Sequence, residues 1–183
     1  MKVDNIRKAK KEDKVVDLIM SAAGEIFLPM DPSFKNEKAR EVCQFLFQSE
    51  YNKLSFENCF VYENNNTIMG MVIVYDQNLE ISLGENQRAI LFKEYNVDVD
   101  FPIEGVKNSY YIDSIAVGDK YQGQGIGKSL LQFVTDKFNP CGLIVDVEKK
   151  SARSLYEKMG FKILNNIDLF GNHYYQMKTN EKI

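Results

Sequence analysis

The residues of this chain best suited to chemistry form one run, Tyr121-Gln122-Gly123-Gln124-Gly125-Ile126-Gly127-Lys128-Ser129. Three alternating glycines carry no Cβ, so backbone N–H groups there can approach a ligand closely. Ile126, Leu130, Leu131, Val134 and Phe138 then recur at helical spacing. A helix beginning at the glycines adds unpaired N–H groups and the positive end of its dipole. Together these favour an anion, and a pyrophosphate spans such a turn well. Two familiar phosphate patterns fail on spacing. A P-loop requires G-x-x-x-x-G-K-[ST]. Gly127-Lys128-Ser129 supplies its end, but Gln122 stands where the first glycine belongs, and counting from Gly123 leaves the loop one residue short. The dinucleotide fingerprint requires G-x-G-x-x-G, whereas the spacing here is G-x-G-x-G.

Four acid–base candidates stand out. Asp113 and Asp146 each interrupt a run of strand-forming apolar residues. A carboxylate in that setting either faces solvent or is desolvated with a raised pKa, and a structural role is the plain alternative for both. His173 is the one histidine, which rules out a multi-histidine metal site; no metal is expected. Tyr156 sits on an apolar helical stripe with Ala152, Leu155 and Met159, a pattern that by periodicity alone describes a core tyrosine.

The elements that must position these residues read as follows. Residues 3–9 predict a short first strand. Lys11-Glu12-Asp13 opens a helix with Val15, Leu18, Ile19, Ala22 and Ala23 on one face, broken by Pro29 and Pro32. A second helix carries Ala39, Val42, Cys43, Leu46 and Phe47. Strands over 59–62 and 68–75 flank Glu63-Asn64-Asn65-Asn66, a hairpin signal. Over 78–107 the pattern is mixed: a short helix around 88–95, then a loop with Pro102 and Gly105. A strand over 110–117, the glycine turn and its helix, a strand over 143–147 and the Tyr156 helix follow, with Gly160 as C-cap. Residues 161–170 and 174–177 close the chain as a hairpin around Gly171-Asn172. The order β-α-α-β-β-(α)-β-α-β-α-β-β predicts an α/β fold, a mixed sheet with helices on both faces.

With 183 residues the chain suits one domain over 1–183. Apolar residues, 44 % of the total, suffice for a sizeable core, and the net charge of −3 argues against nucleic acid as a partner. A cationic amine substrate stays compatible with it. Cys43, Cys59 and Cys141 are odd in number and widely spaced, which predicts reduced buried thiols. No apolar run approaches ~18 residues and the N-terminus lacks a signal-peptide core, so no membrane partner and a cytoplasmic location are expected.

Gln122, Gly125 and Gly127 match in full the Q/R-x-x-G-x-G/A loop of the GNAT N-acetyltransferases. The sequence resembles that family beyond the loop. Ile112-Asp113-Ser114-Ile115-Ala116-Val117 resembles its fourth strand, and Ala152-x-x-Leu155-Tyr156-Glu157-Lys158-Met159-Gly160-Phe161 resembles its A-x-x-L-Y-x-x-x-G-F helix. The likeness is strong over residues 110–162. One departure stands out: the family usually carries Asn three residues before the Ala of the second motif, where this chain has Lys149. Lys149, Lys150, Arg153 and Lys158 would suit phosphates, or form a solvated helix face.

The resemblance implies an acetyl-CoA-dependent transfer of an acetyl group to a primary amine by direct attack in a ternary complex. It assigns cofactor contacts to Ile115, Ala116 and Val117 on the fourth strand, to the turn Gln122, Gly123, Gln124, Gly125, Ile126, Gly127, Lys128 and Ser129, and to Lys149 and Ala152. A backbone N–H of the strand would stabilise the oxyanion. Tyr156 matches the family's general acid, which protonates the departing thiolate. Asp113 and Asp146 are candidate bases; a water chain or His173 are alternatives. A non-catalytic acyl-CoA-binding sensor or interaction module on the same fold is the competing function. The resemblance places acceptor selection in residues 15–51, 78–107 and 165–175, with Tyr110-Tyr111 and Tyr174-Tyr175 as wall or core. The acceptor is a small-molecule or peptide amine, and homodimers, common in the family, are compatible with it.

Overall fold

A run rich in aromatic and β-branched residues makes 110–117 the strand around which the molecule is arranged. The structure, a computed structural model, describes residues 5–27, 36–169 and 171–181. Its strands are β1 (Ile6–Lys8), β2 (Cys59–Asn64), β3 (Thr67–Asp76), β4 (Tyr110–Val117), β5 (Cys141–Asp146), β6 (Phe161–Leu169) and β7 (Asn172–Thr179). Its helices are α1 (Val16–Phe27), α2 (Asn36–Gln48), α3 (Glu80–Tyr95), α4 (Ile126–Lys137) and α5 (Lys150–Lys158). The strands form one mixed sheet in the order β1-β2-β3-β4-β5-β7-β6. All neighbours are antiparallel except β4 and β5, which run parallel.

Each sheet face buries one core. Met71, Ile73 and Tyr75 of β3 meet Ile19 of α1 and Val42, Leu46 and Phe47 of α2. Val72 and Val74, pointing the other way by the two-residue period of a strand, meet Leu130, Leu131 and Val134 of α4. At Gly70 this second layer comes so close that an added Cβ would lie 3.1 Å from both the Ile126 and Leu130 side chains, and 2.9 Å from the Ala116 carbonyl oxygen of β4.

Several boundaries differ from the sequence reading. Residues 11–13 form a turn rather than a helical start. The Asp13 carboxylate is held by the Arg7 guanidinium at 2.7 Å and the Lys10 amide at 2.8 Å, and α1 begins only at Val16. Residues 3 and 4 of the expected first strand, Pro29, Pro32 and Phe170 lie outside the described residues. The β2–β3 turn tightens to Asn65-Asn66, both at positive φ, as a two-residue hairpin requires. β5 runs from Cys141 to Asp146, two residues earlier than expected at its start and one at its end. The largest departure is α3, a 16-residue helix where only a short one was expected. Among the described residues no helix is long and apolar enough to cross a membrane.

Candidate active site in the seam of the sheet

β4 and β5 pair only through Tyr110–Cys141 and Tyr111–Gly142. Beyond that point a cavity of about 570 Å³ opens between them, walled by residues 112–117 on one side and 143–146 on the other. Because β3 pairs with β4 along its whole length, β4 keeps its other backbone edge open toward this gap.

The register between β3 and β4 shifts where Ile73 faces Ser114 and Val74 faces Ile112, so Asp113 is the extra residue of a β-bulge. Its carboxylate accepts hydrogen bonds from the Tyr75 and Ser114 hydroxyls, each at 3.0 Å. Burial raises its pKa, against the lowering effect of the Lys53 charge. Asp146 also lines the cavity. Its carboxylate accepts the Glu148 amide at 2.8 Å while its carbonyl accepts the Lys149 amide at 3.0 Å, which shapes the turn into α5.

Tyr156 projects from α5 onto the same cavity, its ring tilted against Phe161 at 5.9 Å. Burial pushes its hydroxyl up to about 12, so it stays protonated and able to donate at neutral pH. Lys149 and Ala152, from the start of the same helix, complete this wall.

The glycine turn lies beside the cavity rather than on its wall. Gln122 alone of that run lines it. Gly125 is the N-cap of α4 at φ 79, and Gly123 has φ 75, both conformations that disfavour a Cβ. The first helical bond runs from the Ser129 amide to the Gly125 carbonyl at 3.0 Å, which leaves the amides of 126–128 ahead of the ladder. The side chains of the run do other work. Ile126 is buried in the α4 core, Gln124 donates to the Lys120 carbonyl at 3.3 Å and the Ser129 hydroxyl donates to the Gly125 carbonyl at 3.2 Å. Lys128 is exposed, and an added Cβ at Gly127 would make only ordinary contact with Val117 at 3.6 Å.

Three segments expected to select an acceptor converge on the cavity: Ser21 of α1, Glu104 from the loop before β4, and Leu169 and Tyr174 of the closing hairpin. His173 is exposed on that hairpin beside Asp168 at 2.6 Å and does not line the cavity. Tyr110 instead packs on Phe138 at 5.0 Å. Cys43, Cys59 and Cys141 are buried and form no disulfide among the described residues, with burial pushing Cys43 and Cys59 up to about 12.

Glu104 is the site residue that sequence reasoning missed. It is about 9 % exposed, lines the cavity, and accepts the Tyr111 hydroxyl at 2.5 Å. Burial and the neighbouring Asp113 charge push its carboxyl up to about 7. The only sequence signal was an acidic residue between Pro102 and Gly105 in a segment without clear periodicity.

The sequence profile of the acetyltransferase (GNAT) family matches residues 21–161. The chain belongs to the GNAT acetyltransferase family. Solved structures agree on the fold. A crystal structure described as an acetyltransferase is 24 % identical, with 97 % of this chain and 99 % of that one covered, at a TM-score of 0.79. An N-acetyltransferase from Staphylococcus aureus Mu50 is 22 % identical over 95 % and 99 %, at 0.82. The NatC complex bound to Gag peptide and CoA includes a chain 16 % identical over 97 % and 98 %, at 0.54. Comparison with curated protein sequences finds no match. For this GNAT chain the seam between β4 and β5 is therefore the candidate active site.

Proposed function

We propose that this chain is an N-acetyltransferase that moves an acetyl group from acetyl-CoA to the primary amine of a small molecule or peptide, within a ternary complex. The observation that carries the reading is the open backbone edge of β4 over residues 112–117, with Tyr156 lining the same cavity. These residues fit a ligand with an extended amide-bearing arm and an anionic end. The open edge at Ile115, Ala116 and Val117 can pair with amides, the amides of 126–128 can receive phosphate oxygens, and Lys149 adds a positive charge. Acetyl-CoA, when bound, supplies the activated acyl group. A β4 N–H facing the gap stabilises negative charge on the carbonyl oxygen, and Tyr156 holds a proton for the leaving sulfur.

Thermal unfolding with ligands tests the binding half of this reading. CoA should raise the melting temperature, because a ligand that binds only the native state stabilises it, whereas ATP should not. A larger shift with ATP would overturn it. Release of free CoA from acetyl-CoA across a panel of amines separates an enzyme from a binding module.

A further inference from the structure

Direct attack needs a neutral amine, yet an aliphatic amine arrives at neutral pH as an ammonium ion, with a pKa near that of lysine, ~10.4. That proton must leave, to a group on the cavity or to water, before attack. Asp113 is engaged by two hydroxyl donors, and the Asp146 carboxylate is engaged by a backbone amide. Glu104, like Asp146, has a single donor, but that donor is a side-chain hydroxyl of β4 rather than the backbone of a turn the carboxylate itself shapes. One carboxylate oxygen accepts the Tyr111 hydroxyl, and among the described residues no other donor reaches the carboxylate. The residue nevertheless lines the cavity, as do Met20, Ser21 and Ala22 of α1.

Its backbone is fixed from three sides. The Glu104 amide donates to the Glu80 carboxylate at 2.8 Å, and the Gly105 amide donates to the same carboxylate at 3.1 Å. The Gln176 side chain of β7 donates to the Glu104 carbonyl at 2.8 Å. Gly105 permits this approach, since a Cβ there would fall 2.8 Å from a Glu80 carboxylate oxygen and 2.5 Å from Gln77. A loop tied this firmly to α3 and β7 can hold one carboxylate in place, which proton transfer requires.

We propose that Glu104 is the catalytic base of this site, accepting a proton from the ammonium form of the acceptor amine. This rests on the acetyltransfer reading above. One proton leaves the ammonium for the Glu104 carboxylate and passes on to solvent. The amine then forms the C–N bond to the acyl carbon of the thioester as the C–S bond breaks. The second nitrogen proton ends on the sulfur through Tyr156. The nitrogen keeps one hydrogen in the amide, so protons and charge balance.

The charged and titratable groups around Glu104 are Lys53 after α2, Glu80 on α3, Tyr75 on β3, and Tyr111 and Asp113 on β4. Asp113 and Glu80 push its pKa up and Lys53 pulls it down. With burial added, the balance leaves the carboxyl near neutrality, where a base both accepts a proton and releases it readily.

The test compares E104Q and D113N with the wild-type protein. Glutamine keeps an oxygen that can accept from Tyr111 and cannot take the proton. The wild type must first release CoA with at least one of benzylamine, 1,4-diaminobutane and a glycyl peptide; silence with all three overturns the acetyltransfer reading and this one with it. Given turnover, E104Q should lower kcat/KM by a factor of roughly 10²–10⁴ and erase the low-pH limb of the rate profile. Its CoA-induced melting shift should match the wild type. D113N should keep the limb and move it to lower pH, because a negative neighbour has been removed. An activity-free readout uses protein carrying ¹³C at the glutamate carboxyls. One resonance should titrate near neutral pH without any ligand and be missing in E104Q. A loss below about threefold in E104Q, a limb erased by D113N and kept by E104Q, or no glutamate titrating above the ordinary range would each overturn the assignment.

Discussion

Lys53→Met probes the buried charges behind the site. Lys53 is 4 % exposed and Glu80 1 % exposed, with ammonium and carboxylate 3.3 Å apart. Removing one partner of a buried pair costs about 3–5 kcal/mol, because the other charge stays buried without it. Glu80 still accepts the amides of Glu104 and Gly105, which places the loss at the lower end, about 3 kcal/mol. For a chain of this size that lowers the melting temperature by about 6–12 °C. Circular dichroism during thermal and urea unfolding at neutral pH measures it, and an unchanged urea slope would confirm that only stability moved. The double variant Lys53→Met/Glu80→Gln should recover much of the loss, since a neutral pair carries no uncompensated charge. The low-pH limb assigned to Glu104 should meanwhile shift to higher pH, because the cation that lowers its pKa is gone. A single-variant loss below about 1 kcal/mol, or a double variant no more stable than the single, would refute this account of the ion pair.

Two further outcomes follow from the same site. Tyr156→Phe keeps the ring against Phe161 and deletes only the hydroxyl, so kcat should fall by a factor of about 10²–10⁴ with the CoA-induced melting shift intact; a loss below about threefold would make Tyr156 a packing residue. The stability of the wild type should also depend on Glu104. Its folded pKa of about 7 lies above the reference 4.5, so its protonated form favours the native state. That contribution is complete below pH ~4.5 and is lost as pH rises through ~7, by up to about 3 kcal/mol. E104Q lacks it, and its melting temperature relative to wild type should therefore climb between pH 5 and pH 8; a constant difference would contradict the shift.

Much of the architecture was legible because its periodicities are clean. The strand over 110–117 has the same bounds in sequence and structure, and α4 and α5 carry apolar stripes that end at glycines or caps. α3 was not legible because its buried face mixes polar and apolar residues. Glu80, Leu83, Gly84, Gln87 and Leu91 point inward at helical spacing, while Leu79, Ile81 and Phe92 are exposed. A hydrophobic pattern cannot reveal a helix that buries a carboxylate and an amide against Lys53. The same ion pair fixes the loop that carries Glu104, so missing the helix and missing that residue have one cause. The bulge at Asp113 was equally hidden, since a register shift depends on the partner strand and leaves no mark in local spacing.

The brief parallel join between β4 and β5 has a consequence for how the molecule is assembled. β1 to β4 are neighbours in the sheet in chain order, and β5, β7 and β6 all come from residues 141–179. Within each group every pairing is antiparallel, and the β2–β3 and β6–β7 hairpins close over short loops. Short loop closures are entropically cheap and fast. The join between the groups spans the whole α4 crossover and holds at two residue pairs. The two walls of the cavity thus belong to two portions of the chain, each held together by its own antiparallel pairings. Neither portion alone presents the cavity, so it comes into being only with their docking, and a ligand that touches both walls binds the finished molecule rather than its precursors.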